Sequence, residues 1–408
     1  MDGSFVREGD LLWAVLTDRF FHPETEVLYD VLWRGGDGRV SATACLPTPD
    51  EIRRQFPNPC AWGTGMQDCV FNGAPFLSAA VMRGDRAMAL AAYRGLRRCA
   101  TVSGVRGFVA RGISPADGRS FYINSSRDTW TLFIFHLRAF SHSLFCDAAT
   151  KGEIRDMLLG VADYAERCVT AENGYSLLRA DGRPGLVCQM WAGAPAEGAV
   201  CWDGGLRPHE ALRLPMIYAA AYDMSGDQHW RELKLRYLDK ALEIAEGDVG
   251  DDIRASILNQ MALSIRLLWE TEDDPPRKAR LLRLLNRSAD LASGPLTARL
   301  EKAFGTPGWK FAAPMEDWRH FPYRKRWSID SQLINGYRYD TPDSAVATVE
   351  DSYVEASYAV LVQSLVPCRM VDPHTLDLFS RAIKATDLSA VACSNAVNAV
   401  LAMFVAEP

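Results

Sequence analysis

Along most of the chain, apolar residues recur at i, i+3, i+4 and i+7, and strict alternation is scarce, so the pattern is helical. Two kinds of segment can be distinguished. Amphipathic ones carry a single apolar stripe: the 5–20 stretch, Ala87-Leu90-Ala91-Leu96, Ile154-Met157-Leu158-Val161-Ala162-Ala165, Leu281-Leu284-Leu285-Ala289 and Leu376-Phe379-Ala382-Ile383. Residues 71–82, 131–145, 212–222, 253–269, 353–365 and 390–404 are instead apolar on most sides, as helices covered on both faces must be. The two kinds alternate, which predicts six helical hairpins, each pairing an outer amphipathic helix with an inner apolar one. Six such pairs close into a double ring. The expectation is an all-α (α/α)6 toroid forming one domain over residues 1–408, with no low-complexity linker to divide it. Short strand-like pieces, Arg39-Val-Ser-Ala-Thr and Gly174-Tyr-Ser-Leu-Leu-Arg, read as β-hairpins in the connecting loops.

An open helical solenoid is the competing architecture. Solenoids keep short turns and a period of ~34 to ~47 residues. Here the inner segments are unevenly spaced and the links at 34–59, 104–125, 174–208 and 305–349 are long. Long ordered loops in a compact domain usually carry function.

Those links lead into the inner segments, and polar residues collect at the junctions. Trp62 and Asp68 precede the first. Asn124, Arg127 and Asp128 precede the second, and Trp202, Asp203, Arg207, His209 and Glu210 the third. Asp351 and Tyr353 open the fifth, while the sixth carries Asn395 and Asn398. A closed ring brings these starts to one end of its axis. Acids at a helix start also serve as caps and are favoured by the helix dipole. Thr64-x-x-Gln67, Ser125-x-x-Asp128 and Thr348-x-x-Asp351 approximate the capping box, and Pro208 suits the first helical position, leaving Glu210 near the third. Capping requires no Arg127, Trp202 or His209, however. Asp203 precedes Gly204 and Gly205, as a turn residue or a ligand-facing one would. The segment Glu316-Asp317-Trp318-Arg319-His320 reads as a solvated loop or as a lid over the mouth. Several of the 11 Trp lie in loops, where a flat ring can form a platform for a sugar.

Charge and composition narrow the classes of function. With 51 Asp+Glu against 45 Lys+Arg, the net charge of −6 leaves no basic excess for phosphates, so no nucleic-acid partner is expected. No run of 18 apolar residues suggests a membrane span, and the first ten residues carry no signal-peptide pattern. A cytoplasmic protein with its ten cysteines reduced is therefore expected. The seven His and ten Cys show no metal-ligand spacing, and no Gly-rich phosphate or dinucleotide loop occurs, so neither metal nor cofactor is expected.

The motifs W-G-T-G-M-x-D-C at 62–69, G-F-V-A-R-G at 107–112, N-S-S-R-D at 124–128 and H-E-A-L-R-L-P at 209–215 resemble bacterial proteins grouped with the (α/α)6 carbohydrate-active enzymes. That superfamily includes glycoside hydrolases, unsaturated uronyl hydrolases and toroid polysaccharide lyases. The resemblance implies a fold and a substrate class, and it transfers no catalytic residue by position. The expected activity is hydrolysis of small oligosaccharides, uronate-containing ones among them. Asp128 would be the general acid, Asp203 or Glu210 the partner carboxylate, and His209 a proton relay. Trp62, Trp202 and Trp318 would form the sugar platform, with Asp68, Asn124, Arg127, Arg207, Asp351 and Tyr353 around the substrate. The alternatives are a lyase using Tyr122, Tyr353 or His209 as base, a sugar epimerase, and a glycan-binding protein without turnover. Oligomeric state is not legible.

Overall fold

The computed structural model describes residues 5–199, 206–304, 317–320, 323–325, 340–342, 352–388 and 391–406. These are mostly helical, with small two-stranded sheets. The helices are α1 (Val6–Val15), α2 (Pro49–Arg53), α3 (Cys69–Arg83), α4 (Arg86–Thr101), α5 (Arg127–Ser141), α6 (Ala148–Cys168) and α7 (Arg213–Ser225). They continue with α8 (Gln228–Ala245), α9 (Ala255–Glu270), α10 (Pro275–Leu291), α11 (Thr297–Phe304), α12 (Ser352–Ser364), α13 (Pro373–Lys384) and α14 (Cys393–Ala406). Antiparallel hairpins pair Phe21–His22 with Val27–Leu28, Trp33–Arg34 with Val40–Ser41, Ser176–Leu178 with Pro184–Gln189, and Tyr323–Lys325 with Asp340–Pro342.

Each of the six apolar segments is a helix, and their packing follows chain order. α3 packs on α5, α5 on α7, α7 on α9, α9 on α12, α12 on α14, and α14 returns to α3. Their burial explains the apolar composition: in α14 every residue from Asn395 to Met403 is buried, and in α7 every residue from Arg213 to Ala221. The amphipathic helices lie against these. α1 packs on α14, α4 on α3, α6 on α7 and α5, α8 on α7, α10 on α9, and α13 on α12. Helix α8 has the same one-sided burial, through Trp230, Leu233, Leu238, Ala241, Leu242 and Ala245, although its periodicity was not among the segments singled out above. One continuous apolar core runs through both sets of helices. No helix among the described residues is long and apolar enough to cross a membrane.

The two sets of helices start differently. α4, α6, α8, α10 and α13 each begin with an aspartate, respectively Asp85, Asp147, Asp227, Asp274 and Asp372, whose side chain accepts a backbone N–H of the first turn. Among the inner helices, α3, α7 and α9 begin without any side-chain cap, and α5 is capped by Ser126. The capping-box reading of two inner starts is thereby corrected. Ser126, not Ser125, accepts from Thr129 N, which frees Asp128 from capping duty. Thr64 bonds to Ala61 within its own turn, five residues before α3 begins. The third such start, at Thr348 and Asp351, lies outside the described residues.

Close backbone approach fixes where α4 sits. A Cβ on Gly95 would stand 1.9 Å from the carbonyl oxygen of Glu26, in the turn between the first two strands. Gly95→Ala should therefore destabilise the protein by about 1–3 kcal/mol through overpacking, even though alanine favours a helix interior by about 1 kcal/mol. Gly152 in α6 faces open space, so Gly152→Ala should stabilise by up to about 1 kcal/mol. Urea denaturation of both variants checks the opposite signs.

Candidate active site

The starts of the inner helices are tied together at one end. The backbone N–H of Cys393, first residue of α14, donates to Asp30 O (3.0 Å). The Asp30 carboxylate in turn accepts from the backbone N–H of Asp68, just before α3 (3.0 Å). Arg111, in the loop between α4 and α5, reaches both neighbours: its Nη1 donates to Gln67 O (2.9 Å) and its Nη2 to Ser125 O (3.4 Å). Two ion pairs then cross from α5, one to the Pro208–Glu210 turn that leads into α7 and one to α7 itself. Arg127 Nη2 meets Glu210 Oε1 at 2.7 Å, and Arg213 Nη1 meets Asp128 Oδ1 at 2.7 Å. Arg213 also donates from Nη2 to Gln260 Oε1 in the second turn of α9 (2.8 Å).

The acids in this cluster differ in what remains open. Glu210 is buried. One of its oxygens is on Arg127 and the other accepts the Arg207 N–H at 3.2 Å, which is the Pro208-led start anticipated from sequence. Burial pushes its carboxyl up, but His209 and the Arg127 and Arg213 charges outweigh burial and bring it down to about 2. His209 Nε2 lies 3.6 Å from Glu210 Oε1, a charge contact that is too long for a hydrogen bond. Asp128 is the contrast. Its side chain is 47% exposed, and among the described residues its Oδ2 has no partner, while the buried Arg213 holds Oδ1. Asp68 is 35% exposed at the side chain, with Oδ2 accepting from Gln67 Nε2 (3.1 Å) and Oδ1 3.6 Å from Arg111 Nη1. Behind it, burial and the Asp68 charge push the Asp30 carboxyl well above the usual carboxylate range.

Tyr358 of α12 and Asn398 of α14 lie near these acids and are joined to each other. Asn398 Nδ2 donates to Tyr358 OH at 3.0 Å. Burial first, and then the Asp68 and Asp128 charges, push the Tyr358 phenol above its ordinary range, so that hydroxyl lies within electrostatic reach of both acids.

Other candidates have structural roles. Asn124 is fully buried: its amide donates to Ser125 O (2.6 Å) and Leu186 O (3.3 Å) and accepts the Leu186 N–H (3.0 Å), so it braces loops and does not face a substrate. Trp318 is also fully buried, packed with Trp33 and Cys45, and its Nε1 donates to Cys45 O at 2.7 Å. Neither the platform nor the lid survives for this segment: Arg319 covers the Trp318 ring and pairs with Glu51 (2.7 Å) and Asp317 (3.0 Å), pinning it to the loop around α2. Trp62 is buried, with its backbone held by Asn58, and presents no open ring face of the kind a platform requires. Arg207 is exposed beside Glu210. Trp202, Asp203 and Asp351 lie outside the described residues, as does the side chain of Tyr353. Of the lyase bases, Tyr122 is buried and donates to Phe56 O (2.6 Å).

Arg213, Gln260, Arg111, Asp30 and Tyr358 were not anticipated as site residues. Three of them left a trace in the sequence: Arg213 and Gln260 are polar positions inside nearly all-apolar helices, and Asp30 is a lone acid in Leu28-Tyr-Asp-Val-Leu32. No group of three or more His, Cys, Asp or Glu suited to a metal ion occurs among the described residues, and nine of their cysteines are in the thiol form.

The Glu210 carboxylate should leave a signature in stability. Its folded value lies below the ordinary 4.5, so its contribution is complete above pH 4.5 and is lost as the pH falls toward 2. Glu210→Gln should cost up to about 3 kcal/mol at pH 7, because the buried Arg127 loses its carboxylate partner and keeps the Gln189 carbonyl, and should lose less stability than wild type as pH is lowered. Urea denaturation at a series of pH values from 7 to 3 reads both effects.

No protein-family model matches the chain, and no curated protein matches it, so the site is defined by its geometry alone.

Proposed function

We propose that the chain is a glycoside hydrolase acting on small oligosaccharides, uronate-containing ones among them, built on an (α/α)6 toroid. The toroid reading is supported by the succession of inner helices that returns from α14 to α3, each backed by an outer helix. One observation carries the function: Asp128 is a half-exposed carboxylate with one oxygen held by a buried arginine and the other open. Its partner on this reading is Asp68, because Glu210 is buried with both oxygens engaged. Asp203, the other partner considered, lies outside the described residues.

Water adds across the glycosidic bond. Asp128 delivers the proton to the departing glycosidic oxygen, and Asp68 acts at the anomeric carbon, either by taking a proton from the attacking water or as nucleophile. The oxygen-to-oxygen separation in the substrate complex decides between these: ~5 Å gives retention and ~6.5–9.5 Å gives inversion. The exposed Arg207 is the cation available to a sugar carboxylate. Of the three bases a lyase could use, Tyr122 is spent on a backbone carbonyl, His209 stands beside the buried Glu210, and the side chain of Tyr353 lies outside the described residues.

The test is a panel of saturated and unsaturated uronide and neutral oligosaccharides, read by new reducing ends and by ultraviolet absorbance. Reducing ends should appear without a rise in absorbance. Asp128→Asn and Asp68→Asn should each lower kcat by about 10²–10⁴-fold; Asp128→Asn should also lose some stability, because the buried Arg213 gives up its charge partner, so activity is read well below the unfolding transition of each variant. A rise in absorbance would establish a lyase, and full activity in Asp128→Asn would remove the proposal.

A further inference from the structure

Below the polar rim, the inner helices do not fill their own axis. A cavity of about 190 Å³ lies between α3, α5, α9, α12 and α14. It reaches from the level of Phe71 to that of Met82 on α3, which at 1.5 Å per residue is about 16 Å along the axis. Its lower wall is apolar, formed by residues such as Leu263, Leu361, Leu401 and Val405. A cavity of about 150 Å³ in another protein stays dry and takes up benzene, so this one has room for a group of that class with a substituent.

Two side chains lining the cavity, His136 and Asn259, have hydrogen-bonding capacity left open, whereas Ser78, Tyr358, Ser364 and Asn398 are engaged. His136 is 4% exposed; its Nδ1 bonds Ser78 Oγ at 2.7 Å, and among the described residues its Nε2 has no hydrogen-bond partner. Asn259 is 6% exposed, lines the same space, and has no side-chain hydrogen bond among the described residues. Neither side chain is among the fully enclosed polar groups left unpartnered among the described residues, so the open hydrogen-bonding capacity of both is turned to the space of the cavity. Burial drives the His136 ring down to about 3, so it is neutral near pH 7. One nitrogen of a neutral imidazole donates and the other accepts. Whichever role Nδ1 takes toward Ser78, Nε2 takes the other, and a hydroxyl satisfies either.

We propose that this axial cavity is a binding site for a compact apolar molecule carrying one hydroxyl, of about the size of phenol, with the hydroxyl on His136 Nε2 or Asn259 and the apolar body among the leucines. Tyr358 and Asn398 line this cavity too, whereas Asp68 and Asp128 do not, and the proposal does not depend on the glycosidase reading.

The probe is phenol, with toluene as the comparison lacking the hydroxyl, titrated into the full-length protein by calorimetry. Binding should be saturable at one site per chain and weaker for toluene. Phenol should also shift the ring resonances of His136 in NMR spectra. Leu263→Phe and Leu401→Phe, which place a larger ring in the lower wall, should weaken phenol binding at least about tenfold, or ~1.4 kcal/mol. Asp128→Asn should bind phenol as wild type does, which separates this site from catalysis at the rim. The absence of saturable binding to the folded wild-type protein would overturn the proposal, and this requires no variant to fold. Binding that leaves the His136 resonances unmoved, or that both filling variants retain in full, would overturn it equally.

Discussion

Two ion pairs of opposite polarity cross between the beginnings of α5 and α7, and the arrangement of the rim depends on them. Arg127 reaches over to Glu210 while Arg213 reaches back to Asp128. Three of the four groups are buried, and a buried charge that loses its partner costs several kcal/mol. The crossing therefore fixes both the rotation and the axial register of the two helices, since slipping either one strands two charges together. It also sorts the acids. Glu210 is consumed by the structure, whereas Asp128 is held by one oxygen and left open at the other.

A second constraint acts at the other helix starts. Five of the outer helices, α4, α6, α8, α10 and α13, use aspartates as caps, so the acids at those starts are accounted for by unpaired backbone N–H groups. Inner helices α3 and α7 have no such cap, and the acids there are engaged with arginines, amides and neighbouring loops. Asp30 links two of these starts through its backbone carbonyl and its carboxylate, and its burial behind Asp68 gives the pair unequal hold on a proton. Groups of one chemical kind are thus set to different tasks by what surrounds them.

Much of the fold was legible in the hydrophobic pattern because burial on one face or on both leaves different periodicities. The apolar segments 71–82 and 253–269 fall within a few residues of α3 and α9. α5 starts earlier than its apolar run, at Arg127, because Ser126 supplies the cap and a polar first turn is where the site lies. The site was legible only by residue type. That Asp128 and Glu210 sit at helix starts follows from local sequence, but their partners are 85 and 83 positions away and periodicity carries no such pairing. The loop tryptophans were misleading for a related reason. A Trp in a Gly-rich loop can present its face or anchor the loop, and Trp318 anchors, through an indole N–H that finds a backbone carbonyl 273 residues away.

The most direct test of the rim as a catalytic site is a crystal structure of the Asp128→Asn protein soaked with a uronate disaccharide. The sugar should lie between residues 68 and 128, with the glycosidic oxygen about 3 Å from the substituted amide side chain and the anomeric carbon facing Asp68. A disaccharide bound away from both positions would contradict the assignment of these two carboxylates.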